Sequence, residues 1–157
     1  FGSTVSLMKD YFRGNILEIP VFIYENPEAM PRYFTASAIR TFNDREKLLD
    51  EMGRVKLAAL KDTVFVSEDE VPDEVKAFTG GTGRVRLKAY NPGHDRLEVA
   101  SEDGCILIVS ASWSPFWNAY VDGKKTGVFQ AYHALQGILI PPGTHEVVLK
   151  YEPPYAI

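Results

Sequence analysis

An antiparallel β-sandwich, jelly-roll-like and mainly β with one or two short N-terminal helices, is the fold class this sequence predicts. Three observations predict it. Short apolar runs separated by turn residues recur at near-regular spacing through the C-terminal third. From residue 84 onward apolar and charged residues alternate with a period of two, as on a half-buried strand. One segment, residues 105–111, is apolar on both faces, as a central strand requires.

Taken in order, residues 1–15 mix polar and aromatic side chains without a period. Residues 16–24 (ILEIPVFIY) are β-branched and aromatic and predict a strand, which Pro20 places at an edge or a bulge. Asn26-Pro27 begins a turn, and Pro31 keeps Met30 out of helical geometry. Residues 34–42 alternate as a strand. Asn43 then reads as a helix N-cap with Glu46 three residues on, Leu48, Leu49 and Met52 as the buried stripe, and Gly53 as the stop. Residues 57–60 suggest a second helical turn and 63–66 another strand.

Residues 67–76 are acidic around Pro72, but they lack the glycine and ligand spacing of a calcium loop and read as a solvated loop. Residues 79–83 (TGGTG) resemble a phosphate loop only superficially. No Lys-Ser/Thr follows, and a strand comes next rather than a helix, so the stretch reads as a flexible hinge. Residues 1–82 thus form a mixed lead-in and 83–157 a regular antiparallel part of one β-rich domain.

In the regular part Val85, Leu87 and Ala89 face one way and Arg84, Arg86 and Lys88 the other. Turns follow at Asn91-Pro92-Gly93 and Glu102-Asp103-Gly104, with Leu97 and Val99 inward between them. Residues 118–121 and 126–131 predict a hairpin about Asp122-Gly123, where positive φ is cheap. Residues 135–140 and 144–151 predict a second hairpin across Pro141-Pro142-Gly143, with Val121, Val147 and Leu149 inward.

The bulk composition narrows the function classes. A chain of 157 residues can bury a sizeable core as one domain. With 45% apolar and 24% charged residues it has the ordinary globular mixture. A net charge of -4 gives no attraction for nucleic acid, so none is expected as a partner. Cys105 is the single cysteine, which excludes an internal disulfide; in an apolar run it reads as a small buried hydrophobe. The longest purely apolar runs are about five residues, too short to cross a bilayer as a helix. The chain opens Phe1-Gly2-Ser3 without a methionine, which suggests a piece of something longer or a processed chain.

Catalytic chemistry is hard to find. His94, His133 and His145 fall on separate turns and strand starts with no zinc spacing, and no serine sits in G-x-S-x-G. No catalytic residue, metal or cofactor is expected within this chain; a glycan-active enzyme site needs only two suitably placed acidic residues and is the least favoured alternative. The aromatic corner is the one candidate for binding. Trp113, Trp117 and Tyr120, with Asn118 and Gln130 near, can form a platform for a pyranose, whose C–H face complements a π surface while its hydroxyls bond nearby polar groups. The plainer alternative is that both tryptophans cap the core at a corner stiffened by Pro115, and both readings stay open.

The same residues resemble a known family. The run Ser112-Trp113-Ser114-Pro115-Phe116-Trp117-Asn118-Ala119-Tyr120-Val121-Asp122-Gly123-Lys124 is similar to the Y-x-P-G-W-x-A-x-V-D-G-K signature of YfhO-type bacterial membrane proteins. Ala131 to Gly137 and Ile140 to Val147 resemble its A-N-x-A-F-x-x-V and V-P-x-G-x-H-x-V segments, and Tyr151-Glu152-Pro153-Pro154 its closing Y-x-P. Upstream, Tyr24-Glu25-Asn26-Pro27 with Met30-Pro31-Arg32 resembles its Y-E-N-P-x-x-x-P-R turn. Phe116 replaces the usual glycine before Trp117.

The resemblance implies a multi-pass membrane parent of the broad GT-C glycosyltransferase type that uses lipid-linked sugars. Its catalytic acidic residue would lie outside this chain. The chain would be the parent's extracytoplasmic β-rich domain, on the outer side of a bacterial cell membrane. Its partners would be a glycan or lipid-linked sugar and the transmembrane part of the same protein.

Overall fold

Residues 24–27 and 29–155 are described by the structure, a computed structural model. The strand expected at 16–24 lies, but for Tyr24, outside the described residues, as does the stretch before it. Asn26 does open a turn: its carbonyl accepts from the Ala29 N–H at 3.2 Å.

The lead-in is more elaborate than its sequence suggests. The expected strand at 34–42 is two strands, β1 (Tyr33–Ala36) and β2 (Ala38–Phe42), because the chain changes sheets at Ser37. Helices α1 (Arg45–Arg54) and α2 (Leu57–Asp62) then carry it to β3 (Thr63–Ser67), which lies parallel to β2. A parallel pair needs such a crossover, so one β-α-α-β unit precedes the antiparallel part.

The cap of α1 is Asp44 rather than Asn43; its carboxylate accepts from the Glu46 N–H at 2.8 Å. A charged cap also complements the positive end of the helix dipole, which favours the one-residue shift. Gly53 is helical instead of ending the helix, which closes at Val55. Leu48 is fully buried, whereas Leu49 is 45% exposed, since only a narrow stripe of α1 meets the core.

The acidic segment folds into a 3-10 turn (Glu68–Glu70) and the short α3 (Asp73–Lys76), with Val71 and Val75 turned into the core. Residues 79–83 are tied down, contrary to the hinge expected of them. The Gly81 N–H donates to the Gly104 carbonyl and the Gly83 N–H to Thr35 Oγ1, each at 2.8 Å. Glycine serves close approach here: a Cβ on Gly83 would lie 2.6 Å from the Ala100 carbonyl oxygen.

The β part comprises β4 (Arg84–Asn91), β5 (His94–Ser101), β6 (Cys105–Ser112), β7 (Trp117–Val121), β8 (Lys124–Thr126), β9 (Phe129–Ala131), β10 (Leu135–Ile140) and β11 (Gly143–Tyr151). Among the described residues these strands and β1 form two antiparallel sheets. One has four strands in the order β1-β6-β10-β9 and the other five in the order β4-β5-β11-β7-β8. The fold is mainly β and the two sheets face each other as a sandwich.

Two expected hairpins are corrected. Asp122-Gly123 does join β7 to β8, with φ of 49° and 79° as the turn needs, but residues 129–131 cross to the other sheet. Likewise β10 and β11 lie in different sheets, so Pro141-Pro142-Gly143 bridges the sandwich. Alternation reports which face is inward but not which sheet a strand joins. On β4, Leu87 is 47% exposed and Ala89 also lies open. A bulge between Leu87 and Ala89 breaks the alternation on this edge strand.

The predicted two-faced strand is confirmed in detail. Cys105, Leu107 and Val109 of β6 pack into the space between the sheets, with Leu97, Val99, Ile138, Val147 and Leu149. Ile106 and Ile108 face the other way, into a second core with Leu48, Val64, Phe65 and Phe129. The four-stranded sheet is therefore the middle of three layers.

Candidate functional site

At one end of the sandwich the space between the sheets opens into a groove of about 380 Å³, lined by Gly93, Ser112, Trp113, Ser114, Trp117 and Tyr151. Its walls come from the run 111–117, from Gly93 in the β4–β5 turn and from Tyr151. The end of β6 and the turn after it supply Trp113 and Ser114, β7 begins with Trp117, and β11 ends with Tyr151.

Local sequence explains the placement. After β6 the Trp113 N–H donates to the Ala134 carbonyl at 2.7 Å, holding this strand end against the turn before β10. The Ser114 carbonyl then accepts from the Trp117 N–H at 3.1 Å, closing a turn around Pro115. Proline suits such a turn because its φ is preset. Across the sheet Trp117 pairs directly with Tyr151, their ring centroids 5.3 Å apart and tilted 53°. Phe116 meets the same tyrosine edge-on at 6.3 Å. The Gly93 carbonyl accepts from the Tyr151 N–H at 2.8 Å, bringing the β4–β5 turn to the rim.

Both tryptophans are partly buried. Trp117 rests on the inter-sheet core, and the Trp113 Nε1–H reaches the Val128 carbonyl at 3.5 Å. Phe116 and Tyr151 are 37% and 42% exposed, so the aromatic surface continues outward. Such a wall offers π faces and a few hydroxyls, suited to holding a ring with one apolar face.

The other candidate residues are placed apart. On β7, Asn118 and Tyr120 alternate with Trp117 and so face outward, where both bond Glu152: the Asn118 amide at 2.8 Å and the Tyr120 hydroxyl at 3.4 Å. Partial burial, then the Glu152 carboxylate, pushes the Tyr120 phenol up. Gln130 lies on β9 in the other sheet, its amide donating to the His133 carbonyl. Only Trp113 and Trp117 of the five are brought together at the groove.

Sequence reasoning missed two buried polar side chains near it. Asp95 is 1% exposed on the inward face of β5, in step with Leu97 and Val99 and two residues beyond Gly93. Gln136 is fully buried on β10, and its amide donates to the Ser112 carbonyl at 3.1 Å. A polar residue at an inward position of an apolar strand was the available signal for both. Tyr151 and Gly93 carried none, since they meet the tryptophans only through sheet pairing.

Cys105 is buried, and its thiol is pushed up by that burial. Among the described residues no cluster of three or more His, Cys, Asp or Glu side chains is placed to hold a metal ion. No helix among them is long and apolar enough to cross a membrane.

No curated protein and no solved structure matches the chain. A family model described as bacterial membrane protein YfhO matches residues 59–157, more than half of the sequence and the part that carries the groove's aromatic walls. The chain belongs to the YfhO family of bacterial membrane proteins.

Proposed function

We propose that this chain is a non-catalytic, extracytoplasmic accessory domain of a membrane glycosyltransferase-like protein, and that its aromatic groove recognises or positions a glycan or envelope polymer. The observation that carries the reading is the partly open wall of Trp113, Trp117 and Tyr151 beside the Ser112 and Ser114 hydroxyls. A pyranose stacks its C–H face on such rings while its hydroxyls reach the serines. Family membership supports the membrane setting.

Tryptophan emission of the 157-residue chain, titrated with neutral oligosaccharides, tests the proposal. Saturable quenching that Trp117→Ala abolishes is the expected result. Emission indifferent to every glycan overturns it.

A second reading is favoured by the exposed Phe116 and Tyr151 and by the packing of Trp117 on the core. In that reading the aromatic end is a cap that packs on the transmembrane part of the same protein. Glycan-insensitive emission, together with loss of association between this domain and its membrane part on Phe116→Ser, would support it.

A further inference from the structure

Arg32 is held in place although its side chain is partly exposed. Its side chain is 45% exposed, yet Nε donates to the Tyr33 hydroxyl at 3.0 Å and an Nη lies 3.9 Å from Asp95 Oδ2. The rings of Tyr90 and Tyr33 sit 5.3 and 5.6 Å from its central carbon. Its backbone is fixed as well, since the Arg32 carbonyl accepts from the Ser110 N–H at 2.7 Å. Four contacts on an exposed side chain remove the rotamer freedom that a free arginine would lose on binding.

Two short chain connections bring this cluster beside the groove. Ser110 directly precedes Ala111, a groove-lining residue, and Asp95 lies two residues from Gly93, which lines it too. The Tyr33 hydroxyl donates to Asp95 Oδ2 at 2.8 Å, and Asp95 Oδ1 is buried with no hydrogen-bond partner among the described residues. Gln136, bonded to the carbonyl of groove-lining Ser112, repeats the pattern: its Oε1 is buried and has no partner either. A buried polar atom left without a partner costs stability, so each such group calls for an explanation.

Taking the groove reading above as given, we infer that the site extends from the tryptophans to Arg32 and takes a neutral glycan of at least two sugar residues, whose hydroxyls Arg32 reads. The chemistry of the flank selects this class. Arg32 brings donors whose charge Asp95 balances, and the groove adds the Ser112 and Ser114 hydroxyls, which both give and accept. A hydroxyl both gives and accepts a hydrogen bond and matches such a set. A carboxylate or phosphate gains little there, because Asp95 already balances the Arg32 charge. The first sugar rests on the aromatic wall and the next one reaches the guanidinium.

Titration of the 157-residue chain with glucose, cellotetraose and a uronic-acid tetrasaccharide separates the possibilities. The expected order of affinity places cellotetraose above both others, with little dependence on salt. Arg32→Gln should weaken cellotetraose about tenfold, the loss of one charge-assisted hydrogen bond, while leaving glucose unchanged. Arg32→Lys keeps the charge over the tyrosine rings and loses the planar fork. With unfolding midpoints measured alongside, it should show the same selective loss in a folded protein. Preference for the acidic tetrasaccharide, or equal cellotetraose binding by wild type and Arg32→Lys, overturns the inference while the groove reading stands. No binding of any saccharide, or binding untouched by Trp117→Ala, overturns the groove reading and the inference with it.

Discussion

His145 and Asp122 join two turns of the sandwich: the imidazole Nδ1 lies 2.6 Å from Asp122 Oδ2, and Nε2 lies 3.0 Å from the Pro142 carbonyl oxygen. Both ring nitrogens face acceptors, so only the imidazolium satisfies both by donating twice. The other carboxylate oxygen of Asp122 accepts from the Glu146 N–H at 2.9 Å. The ion pair thus clips the β7–β8 turn to the crossing between β10 and β11.

This pair makes stability depend on pH at both ends. The Asp122 bond first, and then the Pro142 carbonyl, raise the His145 pKa above its ordinary value. Its contribution is therefore complete below about pH 6.5 and is lost as pH rises through the folded value. The His145 bond and the Glu146 N–H hold Asp122 below the usual carboxylate range. That contribution is present above about pH 4 and is lost as pH falls through the folded value. Urea midpoints should fall between about pH 6 and pH 9, and His145→Gln should flatten that limb. An unchanged slope in the variant would remove the pair from the account.

The two faces of β6 predict two comparable losses. Leu107 is fully buried between the sheets and Ile108 fully buried against the helical layer. Each truncation to alanine should cost about 3 kcal/mol in equilibrium unfolding. If Ile108→Ala were nearly neutral, the helical layer would not be packed on this strand as described.

Gly137 predicts a loss from the opposite change. A Cβ there would stand 2.4 Å from the Phe129 ring, so the aromatic ring occupies the space a side chain would take. Gly137→Ala should destabilise by about 2 kcal/mol through forced repacking. Phe129→Leu in the same chain should recover part of it, and the four stabilities of that cycle check the contact.

The β9–β10 turn predicts a gain. Tyr132 and His133 adopt φ of 49° and 65°, left-handed values that cost non-glycine residues energy. Tyr132 is anchored by its hydroxyl, which donates to the Leu60 carbonyl and lies 3.2 Å from the Thr63 carbonyl oxygen. His133 has only a loose approach to Glu70 at 4.0 Å, and its Nδ1 is buried with no hydrogen-bond partner among the described residues. His133→Gly should raise stability by about 1 kcal/mol in denaturant unfolding, and a loss instead would show a bonded role for the ring.

Much of this architecture was legible in the residues. Period-two alternation marked β5 and β11, a double-faced apolar run marked β6, and Asp122-Gly123 marked its turn. Sheet membership was not legible, because β9 and β10 carry the same in-out code whichever layer they join. The candidate site divided in the same way. Trp113 and Trp117 are close in sequence and could be named together, while Asn118 and Tyr120 are equally close and point outward. Arg32, Asp95, Gln136 and Tyr151 meet that region only through pairings between distant strands.

The position of β1 bears on how this protein can be trimmed. β1 covers the outer edge of β6 from Tyr33 to Ala36, and it lies upstream of the 59–157 span that the family shares. A fragment cut to that span would leave five consecutive buried apolar residues, Cys105 to Val109, along an unpaired strand edge, the arrangement that invites chains to stack on one another. Size-exclusion profiles of fragments starting before Arg32 and at residue 59 would show it as monomer against aggregate. The practical boundary of a soluble piece is set by a short strand that the shared sequence span leaves out.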